Sequence, residues 1–281
     1  IKDRQDALDP RFKTPFVGNQ DELKKMDELF QMAAKRIGVK EVSPFTAIGI
    51  EGNAGQGKSR LISEFLHLSQ HFYIYGATSN IHSRSYHIFV SLIQRSIKIT
   101  ELDSLEIIKQ KLNEFYIDVE SYLTEKEYQE FLESKALIGF LIGIKSDDER
   151  LKTKGRELQT HFQIAIRRFI YALTLKTNLS GIPLVIILED LHWIDDPSKD
   201  ALINLFESFG IARENENSPE YLFILNYRPE FEIPVEINRN CNFEKIKLQP
   251  LKETECLEIM NYFTDENELS EELNHALIQG S

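Results

Sequence analysis

Short apolar runs recur along the chain and predict five strands. Each run is almost free of polar residues, as is typical of a strand buried on both faces. The runs lie at 46–51, 72–77, 184–188, 221–225 and 243–248. Amphipathic segments separate them, and strands that alternate with helices indicate a parallel sheet covered by helices on both sides.

Apolar residues at spacings of three and four predict the helices between these strands. The first helix follows Asn19, which we expect to act as its N-cap. From about residue 86 to 176 the pattern is almost wholly helical, which predicts a helical insertion between the second and third strands. A helix over about 197–209 follows the third strand, with Asp196 as the expected N-cap and Pro197 in the first helical position.

The chain divides into three parts along its length. Residues 1–14 are polar and without periodicity, and we interpret them as a linker. Residues 15–251 hold the predicted strands and form the expected α/β domain. Residues 252–281 carry two helix-like stretches, which we interpret as the start of a truncated helical lid. Because the chain begins with Ile1 and ends just after a helix-like stretch, we expect it to be part of a larger protein.

A glycine-rich loop follows the first strand and precedes a helix. It has the spacing Gly-x-x-x-x-Gly-Lys-Ser of a P-loop, or Walker A motif. Glycines let such a loop aim several backbone N–H groups at a phosphate, and the helix start adds the positive end of its dipole. The expected nucleotide-contacting residues are Gly52, Asn53, Ala54, Gly55, Gln56, Gly57, Lys58, Ser59 and Arg60.

Within this loop the motif assigns two specific roles. Lys58 is expected to reach the β- and γ-phosphates, and the Ser59 hydroxyl is expected to ligate Mg²⁺. The sequence therefore predicts binding of a nucleoside triphosphate, with ATP or ADP and Mg²⁺ as the expected cofactors.

The third strand ends in two acidic residues, Glu189 and Asp190. An apolar strand with this ending is typical of a Walker B site. One acid holds the Mg²⁺ shell there, and its neighbour orients or polarises a water for attack on the γ-phosphate. The sequence does not decide which acid has which role, so both are candidate metal ligands and candidate catalytic residues.

Composition narrows the class of partner. Lys and Arg number 33 against 45 Asp and Glu, a net charge of −12, so nucleic acid is not expected to bind through this domain. Cys241 and Cys256 lack the spacing of a zinc site or a disulfide framework, which favours a reducing cytoplasm. The apolar stretch at 136–144 is far shorter than the ~20 residues that span a bilayer. We expect a cytoplasmic protein without a membrane partner.

Five boxes in the sequence resemble those of the AAA-like ATPase modules of the STAND class. The most specific is 188–198, Leu-Glu-Asp-Leu-His-Trp-Ile-Asp-Asp-Pro-Ser, and the others begin at Phe16, Gly52, Asn226 and Leu248. Such modules occur in multidomain bacterial class III nucleotide cyclases and LuxR-type regulators. The resemblance implies an AAA/ASCE-type P-loop NTPase fold, a three-layer sandwich with a five-stranded parallel sheet.

The resemblance also implies roles for residues outside the P-loop. Val17 and Gly18 would line the adenine pocket, with Pro250 near the base from the lid side. Arg228 would act as the sensor 1 arginine and join the catalytic set of Lys58, Glu189 and Asp190. A planar guanidinium can bind a terminal phosphate through two hydrogen bonds and so detect its loss.

Some residues in the boxes depart from the family or carry no assigned chemistry. Asn19 stands where the family usually has arginine, Asn226 where it has threonine, and His87 where proline is frequent. These departures affect the N-terminal box and the sensor strand but not the phosphate loop. We interpret His192 as a hydrogen-bonded packing residue and Trp193 as a core residue.

The predicted function is an ATP-dependent regulatory switch with slow hydrolysis. It would control an attached effector, such as a nucleotide cyclase or a transcription regulator, with nucleotide-dependent self-association as a further expectation. Two alternatives come from other classes of protein, an origin-recognition-like DNA-associated AAA ATPase and a P-loop kinase of a small molecule. The net charge of −12 disfavours the first, and the Leu-His-Trp-x-Asp signature with Arg228 disfavours the second.

Overall fold

The computed structural model describes residues 15–39, 44–68, 72–78, 85–212 and 219–263. The predicted linker and the last predicted helix lie outside these ranges. The strands are β1 (Thr46–Glu51), β2 (Phe72–Ala77), β3 (Leu184–Glu189), β4 (Tyr221–Tyr227) and β5 (Asn242–Lys247). The helices are α1 (Gln20–Arg36), α2 (Lys58–Leu68), α3 (His87–Ser96), α4 (Leu105–Glu120), α5 (Glu125–Glu133), α6 (Lys135–Leu141), α7 (Arg156–Asn178), α8 (Asp196–Ala212), α9 (Val235–Asn240) and α10 (Glu253–Phe263).

The five strands form one parallel sheet in the order β2-β3-β4-β1-β5. Strands β1 and β4 are therefore neighbours at the centre, although more than a hundred residues separate them in the chain. The register aligns Glu51 at the end of β1 with Tyr227 and Lys247. Because the strands are parallel, the carboxyl ends of β1, β3 and β4 meet at one edge, where α/β proteins place their ligands.

Helices cover both faces of the sheet, which confirms the predicted three-layer sandwich. Helices α1 and α2 bury Met26, Phe30 and Phe65 against one face. Helices α3, α7 and α8 pack against the other face, together with the rest of the insertion. Strands β1, β3 and β4 are buried along their whole length, since each has apolar residues on both sides. The predicted helical insertion between β2 and β3 is also confirmed, as α3 to α7 with a 3-10 turn.

Two predictions about helix starts were wrong. Asn19 precedes α1 in a left-handed conformation, with φ 52°, and its side chain makes no capping hydrogen bond. At α8 the cap is Asp195 rather than Asp196, because the Asp195 carboxylate accepts from the Ser198 backbone N–H at 2.9 Å. The short helix α9 was not predicted. No helix in the described ranges is both long and apolar enough to cross a bilayer.

Gly76 lets the edge strand β2 approach α3 closely. A β-carbon at this position would lie 2.5 Å from the backbone oxygen of Ile88. We therefore expect Gly76→Ala to displace α3 and to lower the free energy of unfolding by about 1–3 kcal/mol, the usual range for overpacking. Chemical denaturation measures this change. Gly139→Ala is the matched control, because its β-carbon would meet neighbours at 3.6 Å, and equal stability loss in both variants would contradict the argument.

Candidate functional site

The glycine-rich loop lies at the carboxyl end of β1 and leads into α2. Gly55 and Gly57 have φ values of 81° and 83°, a left-handed conformation that glycine adopts without steric cost. Inside the loop, the Asn53 backbone N–H donates to the Gln56 side-chain oxygen at 2.5 Å, and the Gly52 N–H donates to the Tyr227 oxygen at 3.2 Å. The loop is thereby tied to the end of β4.

Several backbone N–H groups of the loop have no acceptor among the described residues. Within the described ranges this holds for Gly55, Gly57, Lys58 and Ser59. Lys58 and Ser59 begin α2, and the N–H groups of a first helical turn cannot bond within the helix. Donors left free at a helix N-terminus favour an anion there, especially a phosphate.

The Lys58 side chain folds back over the loop. Its buried ammonium group donates to the backbone oxygens of Gly52 at 2.7 Å and Asn53 at 2.8 Å. Burial lowers the pKa of Lys58, while the nearby charge of Asp190 acts in the opposite direction and that of Arg228 lowers it further. Lys58 therefore lies in the field of both groups, which brings three predicted site residues together at one edge of the sheet.

Glu189 is buried at the end of β3 and both of its carboxylate oxygens are engaged. Oε1 accepts from the Asn226 side-chain amide at 2.7 Å, and Oε2 accepts from the Tyr75 hydroxyl. Burial raises the pKa of Glu189, and hydrogen bonds from Tyr75 and Ser59 oppose that shift. The Ser59 hydroxyl is thus close enough to Glu189 to act on its pKa, which brings the acid and the second predicted Mg²⁺ ligand to the same place.

Asp190 has a different environment from its neighbour. Its backbone is left-handed, with φ 58°, and is held by Asn226 Oδ1, which accepts from the Asp190 N–H at 2.8 Å, and by the Thr78 hydroxyl, which donates to the Asp190 oxygen. Its carboxylate accepts no hydrogen bond from any group in the described part of the chain. The half-buried carboxylate is therefore free to accept one from a ligand or water.

Asn226 is a site residue that the sequence reading did not assign. It is 1% exposed, and its amide bridges the Glu189 side chain and the Asp190 backbone. The sequence marks it only as a departure from the family's threonine. The signal that identifies it is an amide side chain near the end of an otherwise apolar central strand, because a buried amide requires polar partners.

Replacing Asn226 tests this bridge. Asn226→Ala would leave the Glu189 Oε1 atom and the Asp190 N–H without partners, so we expect the free energy of unfolding to fall by about 2–4 kcal/mol. Urea denaturation measures the change. The exposed Asn113 on α4 provides the control, where alanine should have little effect, and a similarly small effect at Asn226 would exclude the bridge as a stabilising element.

Arg228 lies just after β4, close to the loop. Its guanidinium is 5.9 Å from the centre of the Trp193 ring, and its Nη1 atom is 4.0 Å from Glu230. Trp193 is 45% exposed, so its interpretation as a core residue was wrong. Burial, followed by the Arg228 charge, lowers the pKa of His192.

The hydrogen-bonded packing role given to His192 was also wrong. Both ring nitrogens are buried without a hydrogen-bond partner among the described residues.

The N-terminal box contacts the segment after β5. Gly18 has φ 72°, and a β-carbon there would lie 2.6 Å from Leu251. Val17 is half-buried and Pro250 is exposed. The two segments that the resemblance assigns to the adenine pocket are thus neighbours, next to α10 and on the same side as the P-loop helix, where Arg60 lies 5.8 Å from the Phe16 ring centre.

The donor atoms at the site fit a nucleotide with Mg²⁺. Mg²⁺ prefers oxygen ligands and usually keeps waters and substrate phosphates in its shell. Ser59, Glu189 and Asp190 supply one hydroxyl and two carboxylates, while the free loop amides and Lys58 suit phosphate oxygens. In the described part of the chain no group of three or more His, Cys, Asp or Glu side chains forms a metal site of the all-protein kind.

Comparison with known proteins gives one family match. The model of the AAA ATPase domain matches residues 15–212, more than half of the chain. That segment contains the P-loop, Glu189 and Asp190. No curated protein matches.

Three solved structures are similar to this chain at low sequence identity, and the first of them shows the same fold. Cdc6p from Pyrobaculum aerophilum superposes with a TM-score of 0.52 and 11% identity, over 96% of this chain and 56% of that one. The HORMA:CdnC:Trip13 complex of E. coli MS115-1 gives 0.47 and 9%, over 99% and 78%. The Aeropyrum pernix ORC2 protein (ADPNP–ADP complexes) gives 0.45 and 12%, over 91% and 53%. The chain thus spans about 56% of the length of Cdc6p.

Proposed function

The chain belongs to the AAA ATPase domain family, and from that membership we propose that it is an ATP-binding regulatory module of a larger signalling protein. ATP with Mg²⁺ would be held at the carboxyl edge of the sheet, and slow hydrolysis to ADP would reset the module. One observation carries the proposal. The free amides of the P-loop and the buried Lys58 ammonium lie at the same edge of the sheet as the Glu189 and Asp190 carboxylates.

The phosphate-binding role rests on the loop geometry. The N–H groups of Gly55, Gly57, Lys58 and Ser59 would donate to phosphate oxygens. The absence of an acceptor for them in the described part of the chain supports this role. Lys58 would exchange its two carbonyl contacts for the terminal phosphates. Charge-assisted hydrogen bonds of this kind are roughly twice as strong as neutral ones, which favours the triphosphate over a neutral ligand.

The two acids would divide the metal and water roles. When bound, Mg²⁺ neutralises charge on the phosphate oxygens. Glu189, whose pKa the Ser59 hydroxyl affects, would orient the ligands around the metal together with that hydroxyl. Asp190, with its unengaged carboxylate, would accept a hydrogen bond from the attacking water. This division follows from which carboxylate is already engaged and which is free.

Turnover is expected to be slow in the isolated chain. The Arg228 guanidinium lies near the Trp193 ring and the Glu230 carboxylate. We propose that it senses the γ-phosphate. An arginine supplied in trans by a neighbouring molecule contributes about 10³–10⁵ in rate. The isolated monomer has no neighbour to supply one, so its hydrolysis is expected to be slow. Steady-state phosphate release measures this, and rapid turnover by the monomer would contradict the proposal.

A nucleotide switch requires that ATP and ADP favour different conformations. Contact of Gly18 with Leu251 and Glu255 joins the N-terminal box to the start of α10, so nucleotide bound beside that contact would restrain the helix. We expect amide hydrogen exchange in 253–263 to be slowest with ATP and Mg²⁺, faster with ADP and fastest without nucleotide. Equal exchange in all three states would exclude a switch through this helix.

We propose that the switch controls covalently attached effector and sensor domains. The five family-like boxes support this proposal. Self-association in the ATP state is a further proposal, as is a cytoplasmic location. The gene sequence on both sides of the chain provides the simplest test. A cyclase domain before Ile1 or a helix-turn-helix after Ser281 would support the regulatory role, and flanks that encode a DNA-loading machine would contradict it.

A further inference from the structure

Tyr75 on the edge strand β2 reaches the candidate metal site from outside the family-like boxes. Its hydroxyl donates to Oε2 of Glu189, and the register of β2 and β3 places Tyr75 opposite Ile187. The Tyr75 side chain therefore extends past the strand end to the carboxylate. Burial of the hydroxyl, and then the Glu189 charge, raises the pKa of Tyr75.

Arg95 holds the Tyr75 ring from the insertion side. Its guanidinium lies over the ring, 4.2 Å from the centre, a distance at which cation–π attraction is strong. Arg95 is otherwise exposed on α3. Its charge also acts on Glu189 directly and favours the ionised carboxylate. One cation of the insertion thus supports both the tyrosine and the acid.

Helix α3 is also fixed to the site at its other end. The Asp195 carboxylate accepts from the backbone N–H groups of Tyr86 at 3.0 Å and His87 at 3.3 Å. The same side chain caps α8, through Ser198. Because Asp195 follows Glu189 and Asp190 by only a few residues, α3 contacts the acidic segment through Asp195 at one end and through Arg95 and Tyr75 at the other.

We propose that Tyr75 is a positioning residue that orients Glu189 toward Ser59 for Mg²⁺ binding, and that Arg95 fixes Tyr75 in this role. The proposal rests on the nucleotide-binding function proposed above. A buried carboxylate with two directed donors, Tyr75 and Asn226, has one orientation, because each donor fixes one of its oxygens. Loss of the tyrosine donor would weaken the metal's contribution to ATP affinity and leave the phosphate loop unchanged.

The test is the ATP affinity of the full chain, measured by calorimetry with Mg²⁺ and again with EDTA. The ratio of the two affinities is the gain due to the metal. In Tyr75→Phe we expect this gain to fall by about tenfold, the effect of one hydrogen bond to a charged group, with the affinity in EDTA unchanged. Tyr73→Phe removes a hydroxyl from the same face of the same strand and should keep the wild-type gain.

Arg95→Gln provides a second variant whose folding is not at risk, because Arg95 is exposed. We expect a smaller fall in the metal gain, and a combined fall smaller than the sum of the two when this change is added to Tyr75→Phe, since Arg95 acts partly through Tyr75. If both single variants kept the wild-type ratio of ATP affinities in Mg²⁺ and in EDTA, the positioning role of Tyr75 would be overturned. The proposal that the chain binds ATP would not be affected. Absence of ATP binding by the unmodified chain would instead remove the proposed function, and the role of Tyr75 with it.

Discussion

Lys58→Ala is expected to lower ATP affinity by on the order of 10²-fold or more. The ammonium group is buried over the loop and already spans the oxygens of Gly52 and Asn53, so the terminal phosphates would be within its reach. Two charge-assisted hydrogen bonds contribute about 3 kcal/mol or more, which corresponds to this factor in affinity. Titration calorimetry with ATP and Mg²⁺ measures the effect.

The control for this variant is Lys24→Ala, an exposed lysine on α1 that pairs with Glu28 at 3.9 Å. This variant removes the same positive charge from the chain. It therefore separates a local effect of Lys58 on phosphate binding from a change in the electrostatic field of the whole chain. Circular dichroism should show an intact fold in both variants. Unchanged ATP affinity in Lys58→Ala would remove the phosphate-binding assignment of the loop.

Asp190→Asn is expected to reduce ATP hydrolysis by about 10²–10⁴-fold, the usual contribution of general acid–base catalysis, with little loss of ATP binding. Asparagine keeps the shape of the side chain and the backbone contacts to Asn226 and Thr78. It cannot accept a proton from the attacking water. Phosphate release and ATP affinity, measured separately, distinguish the two effects.

Variants of two other acidic residues, Glu189 and Asp196, test whether the loss of hydrolysis is specific to Asp190. Glu189→Gln should weaken Mg²⁺-dependent binding, because we propose Glu189 as the acid that orients the metal shell with Ser59. Asp196→Asn removes an exposed carboxylate at the start of α8 and should leave both properties intact. If Asp190→Asn hydrolysed ATP at the wild-type rate while Glu189→Gln lost only turnover, the roles of the two acids would be reversed.

The main features of the fold could be predicted because their signals are local. The strands at 46–51 and 72–77 were located at both ends, since buried parallel strands are continuous apolar runs between polar segments. The P-loop was evident from eight adjacent residues. Helix caps were less predictable, because Asp195 and Asp196 are chemically equivalent in sequence and only the helix geometry selects Asp195.

The polar contacts between strands could not be predicted. Asn226 and Tyr75 meet Glu189 only because the order of the sheet puts β4 and β2 on either side of β3, and no sequence spacing contains that order. The division of the metal and water roles between Glu189 and Asp190 could not be predicted for the same reason. It depends on which carboxylate the neighbouring strands already satisfy, so the run of apolar residues that precedes the two acids carries no information about it.

The central claim is that the loop and the two acids form one site for a nucleoside triphosphate with Mg²⁺. Its most direct test is calorimetric titration of the unmodified chain with ATP, in Mg²⁺ and in EDTA, beside adenosine as a ligand without phosphates. We expect saturable binding of ATP that is tighter with Mg²⁺, and much weaker binding of adenosine. Absence of ATP binding at millimolar concentration, or equal affinity for ATP and adenosine, would contradict the account.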